Sequence, residues 1–225
     1  MEETKKKVQK NNFIEIKYTG SANGEIFDSN IEEDARKLNP DFKVRKTIIC
    51  VGGGMVVSGL DKAFEEKEIG KEYEVDIDVK EGFGERKREL VKTIPLKVFT
   101  EKKVDPRPGM MLNLDNMMVR IITISGARVV TDFNNPLAGK DLHYKFKIIR
   151  EVERDEEKAR ALFEVFWKFV PDFSFSGEKI IVKGPKGLDI FVKQFAEKFK
   201  ELIGKELIFE EKKESLENSI VGKNK

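Results

Sequence analysis

A period-2 alternation of apolar and polar side chains, met twice before residue 80, constrains this chain more than any other feature. Ile14, Ile16 and Tyr18 alternate with Glu15 and Lys17, and Tyr73, Val75, Ile77 and Val79 alternate with Glu72, Glu74, Asp76 and Asp78. Successive side chains of a strand point to opposite faces, so each stretch reads as a strand with one buried and one wet face. Asn23-Gly24 is a hairpin-type turn signal ahead of a second strand, Glu25-Ile26-Phe27. Residues 47–51 form a β-branched run, and residues 30–46 are polar, with a helical turn at 32–38. Ser58 or Gly59 opens a short helix, residues 60–64, that ends before Gly70. Strands, one short helix and further strands predict an α+β domain built on an antiparallel sheet.

Composition narrows the function classes. Lys and Arg number 43 against 41 Asp and Glu, so bulk charge does not seek nucleic acid. A charged fraction of 37% lies above the usual quarter, and 17 Phe within a 39% hydrophobic fraction leave enough apolar matter for packed cores in 225 residues. The single Cys50 excludes an internal disulfide and fits a reducing compartment. No run approaches the roughly 20 apolar residues that span a bilayer. The amino terminus leads straight to Phe13 without an apolar signal core. The expectation is a soluble, cytoplasmic protein without membrane or nucleic-acid partner. One histidine, His143, cannot anchor a His-based metal site or a supported hydrolase triad, so no metal and no cofactor are expected, and His143 reads as a half-buried strand residue.

Beyond residue 84 the pattern changes twice. Charges lead into Ile94-Pro95-Leu96 and Pro106-Arg107-Pro108-Gly109, and three short strand-like runs follow at 110–114, 117–124 and 127–133, with another at 142–149. From Glu153 the period becomes helical. Ala159, Leu162, Phe163, Phe166 and Val170 recur at three- and four-residue steps, as do Leu188, Phe191, Val192, Phe195, Phe199 and Leu202. Such aromatic stripes read as a core rather than a groove. Two short strands at 173–182 and a last one at 207–211 complete this piece.

Three motifs carry a resemblance. They are Tyr18-Thr19-Gly20 with Gly24-Glu25-Ile26-Phe27-Asp28-Ser29, then Gly52-Gly53-Gly54-Met55-Val56-Val57-Ser58-Gly59-Leu60-Asp61, then Glu81-Gly82-Phe83-Gly84. Their order and spacing resemble the FKBP family of peptidyl-prolyl cis–trans isomerases. The linker Phe133-Asn134-Asn135-Pro136-Leu137-Ala138-Gly139 and the run 90–99 are similar to the SlyD-like branch, with Asn135 where His is usual. The resemblance implies a discontinuous FKBP-like domain (1–87 and 135–153), an inserted all-β "insert-in-flap" domain (88–134) and a C-terminal α/β domain (154–225). That last piece is similar to the extra domain of long archaeal members rather than the His-rich tail of bacterial ones.

The resemblance also implies a site. Tyr18, Phe27, Asp28, Val56 and Val57 form pocket walls, the Val57 N–H meets the substrate carbonyl, Leu60 is the floor, and Phe83 and Tyr144 close the far side. Leu60 stands where many relatives have Trp, and Tyr144 where Phe is commoner. Ordinary core packing is the alternative for each, most of all for Leu60. Gly52-Gly53-Gly54 lacks the Lys-Ser/Thr of a phosphate loop. Met110, Met111, Met117 and Met118, four of the six methionines, would with Ile121 hold unfolded clients, since methionine adapts to many apolar partners. The alternative is that they fill the insert's own core. The implied function is prolyl isomerisation with chaperone activity on unfolded or proline-containing polypeptides, without cofactor. FK506-type macrolides are further expected ligands, and a homodimer through the C-terminal domain a further expected assembly. The alternative is a non-catalytic FKBP-fold holdase or assembly adaptor.

Overall fold

The computed structural model describes residues 6–114 and 117–212. Its first sheet has the order β2-β1-β9-β4, with β3 pairing β1 as well. These strands are β1 (Phe13–Ala22), β2 (Glu25–Ser29), β3 (Thr47–Cys50), β4 (Glu72–Ile77) and β9 (Leu142–Glu151), and every pairing is antiparallel. Two short helices, α1 (Glu32–Leu38) and α2 (Ser58–Ala63), sit on the connections. The alternation sorts the side chains as expected. Ile14, Ile16, Ile77, Phe146 and Ile148 join Leu60 and Phe64 of the α2 segment in one buried cluster. Gly59 allows the close approach of helix and sheet, because a Cβ there would lie 2.5 Å from Ile77 Cγ2.

A separate four-stranded antiparallel sheet, β5-β8-β7-β6, lies between β4 and β9 in sequence. It comprises β5 (Val91–Pro95), β6 (Met111–Leu114), β7 (Met117–Ser125) and β8 (Arg128–Asp132), with helix α3 (Leu96–Glu101) after β5. Phe99, Leu114, Val119, Ile121 and Val129 form its buried cluster.

The remaining elements are α4 (Asp155–Leu162), β10 (Asp172–Ser176), β11 (Lys179–Gly184), α5 (Leu188–Ile203) and β12 (Glu206–Glu211). β11 and β12 run parallel, with α5 as the crossover, and β10 pairs with β11 antiparallel. The first aromatic stripe departs from the expected continuous helix. α4 stops at Leu162, a wider π-helical turn runs from Phe163 to Trp167, and Lys168 at φ 64 ends it, leaving Val170 outside. The wider π turn advances by more than four residues, so Trp167 rather than Phe166 is buried beside Phe163.

These elements share a core with the reverse face of the first sheet. Phe13, Cys50 and Val152 are buried together with Leu162, Phe163, Trp167, Phe199 and Leu202. Arg150 on β9 reinforces the seam by donating to Glu15 on β1 at 2.7 Å and to Glu157 on α4 at 2.7 Å. Phe163 is fully buried within this core, with ring centroids 4.8 Å from both Trp167 and Phe199 and 5.1 Å from Phe173. Truncation of a fully buried Phe leaves a cavity that costs about 3–5 kcal/mol. Phe163→Ala should therefore move the urea midpoint sharply down when unfolding is followed by the fluorescence of Trp167, the single tryptophan of the chain. An unchanged midpoint would contradict the shared core.

Candidate functional site

At one end of the first sheet, β1, β2 and β9 bring aromatic rings together across strands. Gly20 on β1 pairs with Asp28 on β2 and with Tyr144 on β9. A Cβ at Gly20 would sit 2.7 Å from Tyr144 Cε1 and 2.8 Å from Phe27 Cζ. The missing side chain is thus the space in which the Phe27 and Tyr144 rings meet, edge to face at 89° with centroids 5.7 Å apart. Phe27 meets Phe83 edge-on at 6.3 Å, and Tyr18 lies 6.3 Å from Tyr144. Leu60 is buried beneath them, with Tyr18, Phe27, Val56 and Val57 packed against the same cluster.

Polar side chains fix the frame. The Tyr18 hydroxyl donates to Asp28 Oδ2 at 2.8 Å, which locks the ring at the rim beside an exposed carboxylate. Asn30 accepts from the Tyr18 N–H at 2.8 Å and donates to the Ile16 carbonyl and the Thr47 hydroxyl at 2.8 Å each. The buried Asp61 carboxylate accepts from Gly52 N–H at 2.8 Å and Gly54 N–H at 3.1 Å, so the glycine turn is tied to α2 and sets Val56 and Val57 at the helix start. Among the described residues no carbonyl accepts the Val57 N–H. The Gly59 N–H and the Ser58 hydroxyl both donate to the Glu81 carbonyl at 3.0 Å, which anchors the loop carrying half-exposed Phe83.

Burial, with the Asp28 charge beside it, drives the Tyr18 phenol well above its usual range. The same two causes push Tyr144 up to about 12. Both phenols stay neutral near pH 7, so each can donate or accept a hydrogen bond but carries no charge into the site. The Tyr144 hydroxyl has no protein partner among the described residues.

Tyr18, Phe27, Asp28, Phe83 and Tyr144 of the expected pocket meet through these ring contacts and the Tyr18–Asp28 bond, and Val56, Val57 and Leu60 belong to the same apolar cluster, while the expected client residues divide. Met110, Met111, Met117 and Met118 are exposed. Ile121 faces inward and is fully buried, because β7 alternates and the wet side falls to Met118, Arg120 and Ile122. Ile121 thus belongs to the core of its sheet. Sequence reasoning passed over Gly20, Asn30 and Asp61 as site residues. A glycine inside an alternating strand was the available signal for the first. A further cavity of about 590 Å³ lies on the reverse face of the sheet and contains none of the eight residues. Its charged side chains pair across β4 and β9, with Lys145 2.8 Å from Glu74 and His143 Nδ1 2.7 Å from Asp76. Among the described residues no group of three His, Cys, Asp or Glu side chains is placed to hold a metal ion.

The FKBP-type peptidyl-prolyl cis–trans isomerase family model matches residues 4–98, and the family model described as FKBP26, IF domain, matches residues 92–137. The chain thus carries an FKBP-type peptidyl-prolyl cis–trans isomerase domain of SlyD-like kind. A short-type peptidyl-prolyl cis–trans isomerase of Methanocaldococcus jannaschii is 29% identical over 154 residues, 67% of this chain and 98% of the relative. The SlyD isomerase of Haemophilus influenzae is 34% identical over 110 residues, 48% of this chain and 58% of the relative. The SlyD isomerase of Helicobacter pylori is 27% identical over 150 residues, 64% and 74% of the two chains. In this FKBP-type chain β9, which carries Tyr144, lies beyond both family-model matches.

Two outcomes follow from the geometry. Gly20→Ala must push the Phe27 and Tyr144 rings apart, which costs about 1–3 kcal/mol in a denaturant titration and shifts the ring resonances of both. Unmoved rings would contradict the clearance argument. For Tyr144, burial favours the neutral phenol in the folded state. That contribution to stability is intact below pH 10 and is lost as pH climbs through about 12. The ultraviolet phenolate difference between wild type and Tyr144→Phe should accordingly appear near pH 12, and a step at pH 10 would overturn the burial argument.

Proposed function

We propose that this isomerase accelerates X–Pro rotation by holding the twisted amide in the cleft formed by Tyr18, Phe27, Asp28, Val56, Val57, Leu60, Phe83 and Tyr144. The planar amide resists rotation by about 18–20 kcal/mol because resonance is lost at the top of the barrier. No bond breaks, so the catalyst has only to favour the twisted form. The twisted amide is less dipolar across C–N, and a dry aromatic lining therefore penalises the planar ground state. The Val57 N–H donates to the carbonyl before proline, and the Tyr18–Asp28 bond holds the rim. The observation that carries this reading is the meeting of Phe27 and Tyr144 over Gly20, a close-packed apolar wall with neutral phenols beside it.

The sheet β5-β8-β7-β6 acts in this reading as an insert-in-flap domain (residues 88–134) within a discontinuous catalytic domain (1–87 and 135–153), followed by a C-terminal domain from 154. The exposed methionines, joined by Ile122 instead of Ile121, hold unfolded segments and raise their concentration beside the cleft. The cleft accepts FK506-type macrolides as competitors, and exposed Phe169, Ile190 and Phe191 offer a second copy an apolar face. The work is done on folding chains in the cytoplasm. A non-catalytic holdase or adaptor is the rival reading.

Exchange spectroscopy of an Ala-Leu-Pro-Phe-type peptide separates the two. Phe27→Ala should lower the catalysed rate by about tenfold or more, equal to at least 1.4 kcal/mol of transition-state stabilisation. Deleting residues 88–132 should spare the peptide reaction and depress catalysis on a refolding protein. Absence of acceleration by folded wild type would leave only the holdase reading.

A further inference from the structure

The wet face of the inserted sheet carries a feature that apolar capture does not require. Arg120 on β7 stands between Met118 and Ile122 along its own strand, opposite Met111 on β6 and opposite Asp132 on β8. All three apolar neighbours are exposed, and so is Arg120. A guanidinium directly across from a carboxylate normally pairs with it, yet Asp132 is already engaged. Its Oδ2 accepts from Arg86 at 2.5 Å, and its Oδ1 accepts from the Asn134 side chain at 2.6 Å and the Asn134 N–H at 3.0 Å. Burial alone would raise the Asp132 pKa, but these bonds and the Arg86 charge outweigh it and hold the carboxyl below its ordinary value. Among the described residues the Arg120 guanidinium has no hydrogen bond or ion pair, and neither does the Lys140 ammonium.

Arg120, Lys140 and Arg86 line one cavity of about 360 Å³ with Met111 and Ile122, between the inserted sheet and the 134–140 linker. Three cations thus share a partly apolar groove with a single carboxylate, and that carboxylate is spoken for. Arg86 leads directly from the loop of Phe83, so the groove adjoins the rim of the proline cleft in sequence and through the bond from Gly139 N–H to the Gly84 carbonyl at 2.8 Å.

We propose that this groove selects apolar polypeptide segments that carry a carboxylate, with Arg120 and Lys140 as the specificity-determining cations, an inference that rests on the client-holding reading above. An unpaired guanidinium beside thioether and aliphatic side chains fits an Asp or Glu side chain set among apolar residues. A basic client meets two unpaired like charges in the same groove.

The test is calorimetric titration of the full chain with three acetylated and amidated peptides of Leu, Ile and Phe that differ only in a central Gln, Glu or Lys. The Glu peptide should bind about fivefold tighter than the Gln peptide, and the Lys peptide weaker than either. The preference should shrink in 1 M salt, where screening acts within about 3 Å. Arg120→Gln and Lys140→Gln should each reduce it, with the Gln peptide unchanged, and Arg120→Glu should turn the preference toward the Lys peptide. Equal binding of all three peptides by wild type overturns this inference alone. Failure of all three to bind overturns it together with the client-holding reading.

Discussion

The structure depends on the two-sidedness of β1. Its inward residues Ile14, Ile16 and Tyr18 build the core over α2, and its outward Phe13 is buried in the core shared with α4 and α5. The same strand pairs with β2, β3 and β9, so one alternating stretch holds together the first sheet, the aromatic cleft and the C-terminal elements. A shift of one residue in its register would exchange the two faces and place Lys17 in the apolar core. The bulges that interrupt β1, between Glu15 and Ile16 against β9 and between Gly20 and Ser21 against β2, adjust the strand at the Arg150 seam and at the cleft.

The cleft follows from that strand with little extra machinery. A glycine removes one side chain, two rings enter the space, and Asp28 holds the phenol at the edge. Asp61 and Asn30 are buried and hydrogen-bond to backbone, so satisfied polar groups frame the apolar wall. Nothing in the arrangement needs a proton to move. The neutral phenols, held neutral by burial, are consistent with an enzyme of this family, whose reaction is a rotation.

Much of this was legible in the sequence because it rests on local periodicity. The alternations at 13–18 and 72–77 gave strand faces, and the motifs around Tyr18, Phe27 and Leu60 pointed to residues that do lie together. The parts that were not legible depend on choices between equivalent local patterns or on distant partners. Phe163, Phe166 and Val170 fit an α-helical stripe, but the chain widens into a π turn that buries Phe163 and Trp167 instead, against Phe199 and other distant aromatic partners. Ile121 and Ile122 are adjacent and alike, and the register of β7 against β8 decides which is buried. The isolation of Arg120 follows from Arg86, far away in sequence, reaching Asp132 first.

The central claim is that the twisted amide is held against Phe27 and Tyr144 with its carbonyl on the Val57 N–H. The most direct measurement is a two-dimensional amide NMR titration of the labelled chain with a short proline peptide, read together with intermolecular ring contacts. The account requires a large downfield shift at the Val57 amide and nuclear Overhauser contacts from the proline ring to Phe27 and Tyr144. Shifts confined to residues 110–122, with Val57 unmoved while isomerisation is still accelerated, would contradict it.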